Sequence, residues 1–146
     1  MMSQATQEEG NKALFLRLIE EGFNKGRLSV VDEVVAFEVK EHQRGNRDGS
    51  VGTKEVISTL RSWFPDLLMQ AEDIVASGDK VWARSKATGT NLGSIMMMPP
   101  TGKKMDITVI DIVRFKDGKI AEHWGVPDQL GMMLQTGLFP RPSGEG

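Results

Sequence analysis

Cysteine and tyrosine are both absent from the 146 residues, and only two histidines are present. Without cysteine there is no disulfide framework, thiolate nucleophile or thiolate metal site, which fits a reducing compartment. Without tyrosine, any mechanism that rests on a phenolic donor or nucleophile is excluded. Two histidines are too few for a His-rich metal centre, and neither a metal nor a cofactor is expected. No stretch approaches the ~20 apolar residues that cross a bilayer, and the N-terminal MMSQATQEEGNK lacks a basic region followed by an apolar run. Charge of one sign is not in excess either: 18 Lys and Arg against 20 Asp and Glu leave a formal net charge of −2. There is thus no basic footprint for nucleic acid or anionic lipid. The expectation is a cytoplasmic protein with neither nucleic acid nor membrane as partner. It has one domain over 11–139, between a flexible N-terminus (1–10) and a disordered tail (140–146, PRPSGEG).

The first half of the chain repeats with a helical period. From Glu8 to about Lys25, Leu14, Phe15, Leu18, Ile19 and Phe23 form one apolar stripe, which Gly26 ends as a C′ residue. Ser29 is placed to cap a short helix carrying Val30, Val31, Val34 and Val35, and Phe37 to His42 reads as a short strand. Gln43 to Gly52 is loop. Thr53 opens a third helix with Val56, Ile57, Leu60, Trp63 and Phe64 on one side, stopped by Pro65. Beyond it the period falls to two, predicting strands at about 68–77, 79–92, 104–115 and 119–126. Asp128, after Pro127, is placed to cap a final helix over Gln129 to Gln135. Helices followed by strands argue for an α+β fold: a curved, mostly antiparallel sheet with about three N-terminal helices packed on one face.

Two strand patterns bear on function. In the strand from Asp79 to Asn91, small residues (Ala83, Ser85, Ala87, Gly89) share a face with Asn91. Such a row either lets a helix approach closely or leaves a hollow for a ligand. The segment Lys116-Asp117-Gly118 suits a three-residue hairpin loop with Gly118 left-handed. Phe115 then opposes Lys119, Val113 faces Ala121, Asp111 faces His123 and Val109 faces Gly125. The same register puts Ile120, Glu122 and Trp124 on the outer face, where Glu122 could pair with Arg114. A carboxylate and an imidazole would stand roughly 5 Å apart at Cβ on an otherwise apolar wall. Burial disfavours the charged form of each and their mutual attraction favours it, so either could act as a base near neutral pH. The bland alternative is a structural ion pair. A two-residue turn would set Asp111 opposite Trp124 instead.

Asp111 and His123 are therefore the catalytic candidates, and five residues are candidate ligand contacts. His42 ends the first strand and reaches either the hollow or the surface. Trp63 is core or ligand clamp. Asn91 closes the small-residue face, Gly125 continues the face of Asp111, and Met97 lies in a Met-Met-Met-Pro-Pro run suited to adaptable apolar contact.

The segments FPDL, ASGDKVWAR, ATGTNLG, PPTGKK and DIVRFKDGKIAEHWGVPDQLG, in this order and spacing, resemble the SnoaL-like polyketide cyclases, or ester cyclases. The resemblance spans roughly residues 11 to 139. It implies the cone-shaped α+β fold shared with ketosteroid isomerase, scytalone dehydratase and limonene epoxide hydrolase, with a deep apolar pocket between helices and sheet. It also implies a homodimer formed through the outer sheet face, and an apolar small-molecule partner. Cyclases of this family close a polyketide ring by an intramolecular aldol step, with a pocket acid and no metal or cofactor. The family's catalytic Asp falls on Gly125 here, its pocket His on Asp111, and the His of its GTxxG segment on Asn91. The acid–base equipment is thus either moved to Asp111 and His123 or absent.

Three functions follow as expectations. The first is a cofactor-independent cyclase, isomerase or lyase acting by general acid–base chemistry on an apolar carbonyl compound. The second is a non-catalytic binder of hydrophobic small molecules. The third, an epoxide hydrolase with non-standard residues, is disfavoured because Tyr is absent and that enzyme's Arg falls on Val109. A filled interior would instead mark an interaction module.

Overall fold

Pro65 separates two periodicities, and it separates two layers of the molecule as well. The computed structural model describes residues 3–139. The first layer comprises α1 (Gln4–Arg17), a π-helical continuation (Leu18–Asn24), α2 (Ser29–Val34), the short strand β1 (Val35–Glu41) and α3 (Gly49–Trp63). The second comprises β2 (Leu68–Ser77), β3 (Lys80–Thr90), β4 (Lys104–Lys116) and β5 (Lys119–Pro127), followed by α4 (Gln129–Thr136). Among the described residues, no helix is long and apolar enough to cross a membrane.

The first helix begins earlier than the apolar stripe suggested. Ser3 caps it, accepting a hydrogen bond from the Thr6 amide, and residues 4–10 are part of the helix. Residues 140–146, expected to be disordered, lie outside the described residues. Gly26 takes the left-handed conformation (φ 73°) expected of a residue that ends a helix. Ser29 is the first residue of α2 rather than its cap. Asp128 caps α4 as expected, its carboxylate accepting from the Gly131 amide at 2.9 Å. This fourth helix follows the sheet, so the helices are not confined to the N-terminal half.

The sheet runs β1-β5-β4-β3-β2, antiparallel except that β1 lies parallel to β5. Strong alternation along β3 and β4 buries Val81, Ala83, Ser85, Ala87, Met105, Ile107, Val109, Asp111, Val113 and Phe115 on the helix side. The small-residue row of β3 serves both purposes considered for it. At Gly89 a helix comes close, since a Cβ there would stand 2.9 Å from Phe64 Cβ. At Ala87 the wall is left hollow.

The β4–β5 hairpin corrects the expected register. Asp117 and Gly118 (φ 51° and 78°) form a two-residue turn, and Lys116 pairs with Lys119. Positive φ at both positions is the geometry whose twist matches antiparallel strands, and Asp-Gly favours it. A bulge follows at Ala121: Phe115 pairs with Ile120, but Arg114 with Glu122, Val113 with His123 and Asp111 with Gly125. The extra residue restores parity, so His123 shares the inner face with Asp111 as a diagonal neighbour instead of a direct opposite. The two-residue turn, by pairing Ile120 with Phe115, sets Ile120 inward, where it is buried.

Candidate active site

Between the helices and the inner sheet face lies a cavity of about 370 Å³. Its size is within the range of small-molecule sites. Phe15, Leu18, Ile19 and Phe23 wall one side, and the π-helical geometry of Leu18–Asn24 sets three of these side chains. Trp63, Phe64, Ala87 and Met105 line another part, while exposed Arg47, Glu55, Thr59 and Gln129 mark the rim. At the rim, Arg47 Nη2 pairs with Glu55 Oε1 at 2.9 Å.

The polar interior is a chain of three side chains. Asp111, 8% exposed, accepts from His123 Nε2 through Oδ1 at 2.8 Å. On the other side of the ring, Nδ1 donates to both oxygens of Glu41, at 2.8 and 2.9 Å. Parallel pairing of Glu41 with His123 makes this second contact possible, because it sets the two residues side by side on adjacent strands. Glu41 is itself held by the Gln43 amide, which donates to Oε1 at 2.8 Å.

Burial pulls the proton affinity of His123 down, but hydrogen bonds to Asp111 and Glu41, and the charges of both, outweigh it and raise the pKa to about 9. At neutral pH the ring is an imidazolium that donates from both nitrogens. With both carboxylates ionised, the chain carries a net charge of −1 inside an apolar enclosure. Oδ2 of Asp111 has no hydrogen-bond donor among the described residues, yet it is not sealed from the cavity. Asp111 is among the residues that line the cavity. Among the described residues no cluster of three or more His, Cys, Asp or Glu side chains is arranged to hold a metal ion.

The other sequence-predicted residues are placed as follows. Trp63 lines the cavity. His42 does not: it stacks on Trp124 on the outer face, with ring centroids 4.6 Å apart, and its Nε2 lies 2.6 Å from Glu122 Oε2. Glu122 also accepts from Arg114 Nε at 2.8 Å, the pair expected from the sequence. Asn91 is fully buried but turns away from the hollow to bind its own loop, donating to the Gly93 carbonyl and accepting from the Thr101 amide. Met97 is 97% exposed and outside the cavity. Gly125 lies beneath the site without lining it; a Cβ there would collide with Gln43 Oε1 and stand 2.8 Å from His123 Cε1.

Sequence reasoning missed Glu41. The available signal was parity: Val39 is a core residue, so two-residue alternation directs Glu41 inward and His42 outward.

An α+β fold thus encloses a largely apolar cavity, with a carboxylate–imidazole–carboxylate chain in its wall. The comparisons with known proteins carry the assignment to a family. The model of the SnoaL-like polyketide cyclases matches residues 13–136, and the chain belongs to that family. It is 27% identical over 136 residues to the aklanonic acid methyl ester cyclase DnrD of Streptomyces peucetius, covering 90% of this chain and 93% of that one. To the nogalonic acid methyl ester cyclase of Streptomyces nogalater it is 28% identical over 128 residues, covering 85% and 95%. Among solved structures, IdmH from Streptomyces antibioticus superposes with a TM-score of 0.78 at 32% identity, over 87% of this chain and 98% of IdmH.

Proposed function

We propose that the protein is a cofactor-independent cyclase that closes a ring in an apolar polyketide-like carbonyl compound by an intramolecular aldol step. The observation that carries this reading is the open Oδ2 of Asp111, facing an apolar cavity while Oδ1 is held by His123. Asp111 takes a proton from carbon next to a carbonyl. The resulting enolate attacks a second carbonyl of the same molecule, forming the C–C bond. The alkoxide then receives a proton from His123 Nε2, and the proton on Asp111 restores the imidazolium, so nothing is consumed. A positioned acid–base pair of this kind contributes about 10²–10⁴ in rate. The net negative charge of the site favours a neutral ester or ketone at its centre over a carboxylate, in keeping with the methyl esters named for the two cyclase relatives. Trp63 is a wall against which a planar ring system stacks. A second copy would cover the outer sheet face, where Trp82 and Val126 are exposed beside Ile110 and Ile112.

Aklanonic acid methyl ester and nogalonic acid methyl ester are the first probes. Asp111→Asn should lower turnover at least about 100-fold while the melting temperature moves by no more than a few degrees. Undiminished turnover in that variant removes Asp111 from the mechanism. One observation favours a non-catalytic binding protein instead: both ring nitrogens of His123 are already engaged by carboxylates. Ligand-dependent thermal shifts with no product from either ester would support that alternative.

A further inference from the structure

We infer that Glu41 is a positioning residue: it is the standing counter-ion of His123, keeping the imidazolium paired and oriented while the charge on Asp111 comes and goes. The inference rests on the acid–base reading of Asp111 and His123. It begins from the geometry of the three side chains, where Glu41 grips Nδ1 with both oxygens and Asp111 holds Nε2 with one. The two carboxylates are not equivalent. Glu41 is fixed a second time by the Gln43 amide, whereas Oδ2 of Asp111 is left for a ligand.

Proton transfer to Asp111 neutralises one of the two anions beside the ring. In an apolar wall an imidazolium left without a counter-ion is costly, and that cost would fall on the transition state. With Glu41 present, the imidazolium stays paired while Asp111 holds the substrate proton, until Nε2 passes its own proton to the alkoxide. The ring also stays aligned along the Glu41–Asp111 line, with Nε2 held at Asp111 Oδ1 beside the cavity. The charged groups facing His123 are Glu41 from β1 and Asp111 from β4. Arg47 and Glu55 neutralise one another at the rim, and α4 offers uncharged Gln129 and Met132 to the lining. Glu122, the neighbour of His123 in sequence, is taken by Arg114 and His42 on the opposite face. No other described group is placed to substitute for Glu41.

The test compares the full-length protein with Glu41→Gln and Glu41→Asp. Proton NMR of the two histidines, each assigned by its own substitution, follows the His123 ring through pH without substrate. The expected result is a His123 midpoint lowered by about one pH unit or more in Glu41→Gln and largely restored in Glu41→Asp. With a turned-over ester, kcat should fall at least about tenfold in Glu41→Gln with KM changed less than about threefold, and the alkaline limb of the rate profile should move down with the midpoint. An unchanged midpoint in Glu41→Gln overturns the inference, as does a fall in kcat with an unmoved pH profile. If the wild-type protein turns over no ester, the proposed reaction fails, while the ring titration still decides the role of Glu41. The aspartate variant keeps the test open if the glutamine variant does not fold.

Discussion

Replacing His123 by Gln should flatten the dependence of stability on pH between about 6 and 10. In the folded protein the ring titrates at about 9, against 6.5 for an unperturbed histidine. Because the folded value is the higher, the folded chain holds the proton more tightly than the unfolded chain. The stabilisation is complete below about pH 6.5 and disappears as the pH rises through about 9. That difference, at ~1.4 kcal/mol per pH unit, sets a ceiling of about 3 kcal/mol. The side chain keeps 21% of its surface exposed, so contact with water at the cavity trims the gain. A loss of about 2–3 kcal/mol from pH 6 to pH 10 is therefore expected, a large part of the 5–15 kcal/mol typical of a domain. Urea unfolding of wild type and His123→Gln at unit steps across that interval measures it. Subtracting the variant removes the titration of lysines and termini, leaving the contribution of the ring. Two curves that run parallel would show that His123 is not held as a cation between Asp111 and Glu41.

Two substitutions address the cavity and the turn. Ala87→Leu adds bulk to the cavity wall where β3 is hollow. It should weaken binding of an apolar ligand by about tenfold or more, read by calorimetry, with the melting temperature shifted only a few degrees. Gly118→Val places a β-branched residue at φ 78° in the β4–β5 turn. It should cost about 1–3 kcal/mol in urea unfolding, whereas Asp117→Asn, which tolerates the same left-handed conformation, should be near neutral.

Most of the architecture was legible because it follows from periodicity. The strands β3 and β4 alternate strictly, and α3 carries a coherent apolar stripe stopped by Pro65. The site was legible in part, for an instructive reason. Parity along a strand is a local property, so Asp111 and His123 were assigned the same face; the two-residue turn and the bulge at Ala121 together changed their offset by two residues and left the face intact. Ile120, on the turn side of that bulge, was assigned to the wrong face. Parallel pairing of β1 with β5 is not local, and nothing in the residues around Glu41 announces His123 as its neighbour. Asn91 and Met97 erred differently. A buried amide can serve its own loop as readily as a ligand, and a Met run is apolar whether it lines a pocket or stands in solvent. Distinguishing these cases requires the path of residues 91–103, which short-range pattern does not determine.

The space above Gly125 explains why the acidic group of this site stands where it does. The ring of His123 leans over Gly125 toward Asp111, and Gln43 closes the same volume from the β1–α3 loop. Gln43 ends in a flexible amide that could swing aside. The imidazole could not do so freely, since Glu41 and Asp111 grip it from both ends. A side chain at 125 and an inward His123 therefore compete for one space, and glycine is the residue that yields it. The space is filled from a diagonal neighbour, which leaves Asp111 as the carboxylate open to the cavity. An aspartate introduced at 125 would displace the imidazolium before it could replace Asp111, and it would add a second negative charge to an enclosure that already carries one.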